Sequence, residues 1–216
     1  MTRISILSVA TIVAVQGGLA CASSADTAPM SGAGGNAGTA DAAAAGGNAG
    51  APGTAGGADE GVLTMAEDLS DAQMLHVIDV TSAAEVSRAR LAENKAENAA
   101  VRDFASQLIR DHTIIAYSAA VTAYNMGLTP ADSQVAPMVT RASDAFLQGM
   151  NTMPSGADFD RRFMDVQIEA DKGKLELVER MLAHADGVPL RSLMADELQA
   201  LQKHLDEGGL IRITLK

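Results

Sequence analysis

Four residues pair a side chain able to hold a metal or a proton with a place on the apolar face of a helical pattern: Glu85, His112, Asp171 and His204. Each belongs to a stretch in which apolar residues recur at alternating spacings of three and four, the mark of an amphipathic helix. Leu75, Ile78, Ser82, Glu85, Ala89 and Ala92 form the first stripe; Val101, Phe104, Leu108, His112, Ile115 and Ala119 form the second. Met164, Ile168, Asp171, Leu175, Val178 and Leu182 form the third. The fourth is strongest at Met194, Leu198, Leu201 and Leu205, and His204 lies on its shoulder with Leu193, Glu197 and Ala200. Polar groups buried without partners are costly, so these four either satisfy one another or hold something.

Two imidazoles and two carboxylates make a mixed nitrogen and oxygen shell, which suits one zinc, iron or copper(II) ion better than calcium or magnesium. Asp111, Glu169 and Glu197 stand where they could accept hydrogen bonds from the ring nitrogens and orient them. The alternative is a buried hydrogen-bonded network that fixes helix register with no ligand. A carboxylate-bridged di-iron site is excluded, because it needs a Glu three residues before each histidine; those positions are Ile109 and Leu201. His184, in the last turn of its helix, complements the helix dipole, and His76 reads as a surface residue. Met150 and Met153 read as apolar filler. The chain has no nucleophile elbow, phosphate loop, dinucleotide fingerprint or Cys/His cluster. The expected role is non-catalytic binding or envelope maintenance; the alternatives are a metal-dependent enzyme of the bundle interior and a ligand-free structural or stress-related interaction module.

The elements that must position these residues are four long helices. The first is expected from Ser70, whose hydroxyl can form a capping box with Gln73, to about Glu97. The second runs from Asn98 to Met126 and stops at Gly127 and Pro130. A short helix is expected around Ala142 to Met150. The third starts after Gly156, with Asp158 or Asp160 in its first turn, and ends between His184 and Gly187. The fourth starts at Pro189 and ends at Gly208-Gly209; the β-branched tail 210–216 has no assigned structure. Short links within each consecutive pair imply antiparallel neighbours, and an all-α, antiparallel four-helix bundle over residues 59–216 is the natural closure.

Ahead of that domain, Met1 to Ala20 has a basic start and an apolar run from Ile4 to Val15, the pattern of an export signal. The single cysteine, Cys21, follows Gly18-Leu19-Ala20, which reads as a lipid-attachment box; the competing reading is an ordinary small-x-small cut at Ala20-Cys21-Ala22. Lipid attachment at Cys21 would make a membrane the partner and place the protein on the periplasmic or outer-membrane face of a cell envelope. Residues 21–58 form a tether: 21 of the 28 residues from Ser31 to Ala58 are Gly or Ala, too little apolar bulk to offset the entropy of ordering. Arg3, Asp26 and Asp41 are the charged residues before position 59, so the domain carries 15 Lys and Arg against 25 Asp and Glu. That balance excludes nucleic acid as a partner.

Several short motifs, in order, resemble the DUF4142 family of exported bacterial proteins: Glu85-Val86, Ala92 with Lys95 and Asn98, Val101-Arg102-Asp103-Phe104-Ala105, and Asp111-His112. Phe159-Asp160-Arg161-Arg162-Phe163 and Leu201-Gln202-Lys203-His204-Leu205 complete the set. The resemblance implies a ferritin-like bundle and no agreed activity. Where the family usually has a histidine on the third helix, this chain has Asp171.

Overall fold

The computed structural model describes residues 60–215, which are all-helical. The export signal, the lipid-acceptor Cys21 and the tether expected on residues 1–58 lie outside the described residues. Six helices follow in order: α1 (Glu60–Glu67), α2 (Asp71–Lys95), α3 (Ala99–Met126), α4 (Val135–Thr152), α5 (Ala157–His184) and α6 (Val188–Thr214). The four long helices expected from the apolar stripes are α2, α3, α5 and α6. The short helix expected around Ala142 extends to 18 residues as α4, and α1 is an addition.

Local chemistry sets most of the boundaries. Ser70 and Gln73 form the capping box, with Gln73 N donating to Ser70 Oγ at 3.4 Å and Ser70 N to Gln73 Oε1 at 3.1 Å. Asn98 Oδ1 accepts from Ala100 N at 2.9 Å and opens α3. Gly127 closes α3 in the left-handed region at φ 65°, where a side chain would be strained. The end of α6 departs from expectation, because the helix runs through Gly208-Gly209 and takes in the β-branched tail. Each glycine costs about 1 kcal/mol of helix propensity, yet the helix continues through both: Gly208 is buried against Ile168 and Phe104, where a Cβ would make ordinary contacts at 3.4 Å, and Gly209 is open. Arg212 then ties the last turn to Asp165 on α5 through Nε and Nη2, at 2.5 and 3.1 Å.

The α2–α3 and α5–α6 hairpins are joined by the same device. Asp160, in the first turn of α5, accepts the Glu97 and Asn98 amides of the α2–α3 turn at 3.2 and 2.8 Å. Asp71, in the first turn of α2, accepts the Asp186 and Gly187 amides of the α5–α6 turn at 3.0 and 2.9 Å. Arg102 donates to the Ala96 and Glu97 carbonyls, and Arg191 to those of Leu182 and Ala185. In each half the arginine lies 31 positions after the aspartate. Each hairpin therefore begins with the aspartate that clamps the other's turn, a reciprocal arrangement that fixes the ends of both.

Helix α2 packs on α3, α5 and α4; α6 packs on α5 and α3; α1 lies on α5. Two apolar clusters result. One holds Met74, Leu75 and Ile78 of α2, Ile115 of α3, Val178 of α5 and Met194 of α6. The other holds Ala89 and Ala92 of α2, Phe104 and Leu108 of α3, and Phe159, Phe163 and Met164 of α5. Along α2, α3 and α5 the passage from one cluster to the other goes through Glu85, His112 and Asp171.

Candidate metal centre

The polar layer between the apolar clusters is fully buried at its centre: His112, Asp171, Glu197 and His204 have no exposed surface and Glu85 almost none. His112, Asp171 and His204, from α3, α5 and α6, each offer one donor atom, and the three atoms lie within 4.8 Å of one another. The two imidazoles stand 5.3 Å apart between ring centroids, and Phe104 meets His204 edge-on at 6.2 Å. Each of the three residues also keeps one buried polar atom with no hydrogen-bond partner: His112 Nε2, Asp171 Oδ2 and His204 Nδ1. Such atoms are rare in native interiors and call for a physical account.

His204 presents one ring nitrogen without a partner. Its Nε2 lies 2.9 Å from Asp111 Oδ2, a carboxylate that can only accept when ionised. The ring proton therefore sits on Nε2 and leaves the Nδ1 lone pair free. Asp111 is thus in contact with an imidazole. Glu169 is half-exposed and paired with Lys172 at 2.7 Å, and Glu197 is ion-paired with Lys174 at 2.8 Å, so neither is seen orienting a ring.

Glu85 is occupied elsewhere. Arg88, one turn on, donates to its Oε1, and Gln167 Nε2 donates to its Oε2 at 2.7 Å. The same Gln167 nitrogen donates to Asp171 Oδ1 at 3.0 Å and links the two carboxylates. Glu85 therefore buttresses the trio from α2 and stands outside it. The structure also brings in three residues that the stripes passed over: Arg88, Gln167 and Lys174. Arg88 and Lys174 each lie three positions after a seam carboxylate, Glu85 and Asp171 respectively, a spacing that favours an ion pair on one helix face. That spacing was the available signal.

The fourth stripe is rotated from its expected position. The buried seam of α6 is Leu190, Leu193, Met194, Glu197, Leu201, His204 and Gly208, while Leu198 and Leu205 are half-buried. This rotation carries His204 from the shoulder into the centre. On α5, likewise, Gln167 and Lys174 are buried and Ile168 and Leu175 are half-buried.

Burial sets the electrostatics. Desolvation holds His112 well below the usual imidazole value of 6.5, helped by the charges of Lys174, His204 and Arg88. Desolvation pushes Asp171 well above the usual 3.8; Glu85 adds to this, while Arg88, Lys174 and the Gln167 hydrogen bond oppose it. A neutral imidazole suits metal ligation, whereas burial favours the protonated form of Asp171, a proton that ligation would have to displace.

Residues 57–209 match the family model described as domain of unknown function DUF4142, and the chain belongs to that family. No curated protein and no solved structure matches the chain.

Proposed function

We propose that this DUF4142 protein is an exported, lipid-anchored envelope protein whose domain is a ferritin-like four-helix bundle, and that its molecular role is to bind one divalent transition-metal ion without catalysis. The observation that carries the metal reading is the convergence of His112, Asp171 and His204 within 4.8 Å. Two histidines and one carboxylate, drawn from three helices, form a donor set suited to zinc or iron(II). The partnerless atoms on the same three residues support it, as does the Asp111 carboxylate behind His204. Binding is favoured over catalysis because none of the three presents surface to a substrate.

The bundle reading rests on the pairings α2 with α3, α5 with α6, α3 with α6 and α2 with α5, together with three-residue turns that make each hairpin antiparallel. Anchoring rests on Cys21 and the apolar segment before it, and the Gly/Ala-rich tether would hold the bundle clear of the lipid. A second reading, a ligand-free register-fixing network, is favoured by the pairing of Glu85 with Arg88 and of Glu197 with Lys174.

Elemental analysis after exposure to zinc, iron or copper salts and extensive dialysis separates the two. The metal reading expects about one ion per chain, lost in His112→Ala while the protein remains folded. No retained metal, with folding intact, would leave the network reading.

A further inference from the structure

Nineteen consecutive residues, Thr113 to Ala131, carry no charge, in a chain with formal net charge −11. They include the outward face of the C-terminal half of α3, where Ile114, Tyr117, Val121 and Tyr124 are 62, 72, 39 and 85 % exposed. Steps of three, four and three place these side chains in one stripe, the spacing of a helix seam that meets another helix. A contiguous exposed apolar patch of this kind marks an interaction surface. It is separate from the metal cluster, since His112 and Ile115 point inward where this stripe points out.

We infer that this face pairs with the same face of a second copy, α3 against α3 about a two-fold axis. Three features select that occupant. The spacing is palindromic, so in an antiparallel pair Ile114 meets Tyr124 of the second copy and Tyr117 meets its Val121. Each contact then sets a large ring against a β-branched side chain, and the pairing is isologous. Small residues flank the stripe, Ala116 and Ala120, which lets the two helices approach closely. The charge distribution points the same way: two strongly acidic copies repel over most of their surface, and the uncharged stretch of α3 is where that repulsion is least. Covering the two tyrosines hides roughly 300 Å² per copy. With Ile114 and Val121 the total over both copies is on the order of 1,000 Å², the lower range for a specific interface.

The test is sedimentation equilibrium on the full chain carrying Cys21→Ser, so that no lipid drives association, compared with the same chain carrying Tyr117→Glu and Tyr124→Glu. The expected result is a two-chain mass at tens of micromolar for the first and a single-chain mass for the second, with equal helical circular dichroism. In the Cys21→Ser background, which has no other cysteine, Tyr117→Cys with Val121→Cys should give a covalent dimer on oxidation. A single-chain mass at every concentration, or a two-chain mass that survives both glutamates, overturns the proposal. So does a monomer that co-sediments with phosphatidylcholine vesicles and loses this on the double substitution, which would make the stripe a lipid-docking face.

Discussion

The ammonium of Lys174 lies 3.4 Å from Nδ1 of His112. An ammonium only donates, so Nδ1 accepts and the proton of a neutral His112 sits on Nε2, the ring atom with no hydrogen-bond partner. Ligation through Nε2 requires that proton to move to Nδ1 and Lys174 to turn away, towards the Glu197 carboxylate it already holds at 2.8 Å. A fixed positive charge at this distance also opposes a divalent cation directly. On the proposed metal reading, Lys174 is a built-in competitor for the ion. Lys174→Gln keeps a donor for Glu197 and removes the charge, and metal affinity should rise at least about tenfold, or about 1.4 kcal/mol. Competition titration against a chromophoric chelator reads this out; unchanged affinity would remove Lys174 from the account while leaving the site.

The metal-free protein should show two opposed pH dependences. His112 is held neutral in the fold, so the unfolded chain binds more protons below pH 6.5. Its contribution to stability is complete above pH 6.5 and is lost as pH falls below it. Asp171 is the reverse: its folded form keeps the proton, so its contribution is complete below about 3.8 and is lost as pH rises towards its raised folded value. Where the two windows overlap, the slopes oppose each other. Asp171→Asn should expose the His112 slope, with stability rising by up to about 1.4 kcal/mol per pH unit. Urea midpoints at three pH values in the presence of chelator decide it; a variant no steeper than the parent would contradict this assignment.

Asp160 should be worth more than its place in a first helical turn suggests. It is buried and accepts two backbone amides from another hairpin. Asp160→Ala leaves both amides without an acceptor, and the expected loss is about 2–4 kcal/mol. Asp71→Ala should destabilise in the same direction by a smaller amount, because the two amides that donate to it lie nearer solvent, and water can accept from them in its place. Denaturant unfolding of the two single variants measures both, and equal losses would refute the ranking.

Much of this was legible in the sequence where a local rule governs the outcome. The Ser70–Gln73 box, the Asn98 cap and the Gly127 stop are decided by residues within one turn of each other, and all three stand in the structure. Glu85, His112 and Asp171 were legible as members of the polar layer, since a polar group in an apolar seam stands out; Arg88, Gln167 and Lys174 were not. What escaped depends on contacts between helices. The exact face of α6 was misread because Leu198 and Leu205 outrank Glu197 and His204 on hydropathy, while packing against Asp111, Lys174 and Phe104 selects the polar residues. Gly208-Gly209 suggests a stop because propensity is local, whereas the ties that hold the end of α6, such as Arg212 to Asp165 on α5, are not. Gln167 was passed over for the same reason: its partner Glu85 is 82 residues away.

The contact between Asp111 and His204 supplies the last prediction. Asp111 is the only sequence-proposed orienting residue seen against a ring, and it fixes the tautomer in which His204 Nδ1 can bind a cation. Replacing it by Asn keeps an acceptor oxygen at the same reach but removes the negative charge that makes the imidazole a stronger donor to a metal. Loss of such a partner weakens metal binding by about 10- to 100-fold; Asp111→Asn should lie near the lower figure and Asp111→Ala near the upper. Asp111 is partly exposed, so Asp111→Asn, which keeps an acceptor for His204 Nε2, should match the parent in thermal melts with chelator, while Asp111→Ala should stay folded with a loss of about 1–3 kcal/mol. The order parent, Asn, Ala in retained metal would tie His204 to the ion through Nδ1. Equal retention in all three, with metal still lost in His112→Ala, would mean that His204 stands by the ion without ligating it.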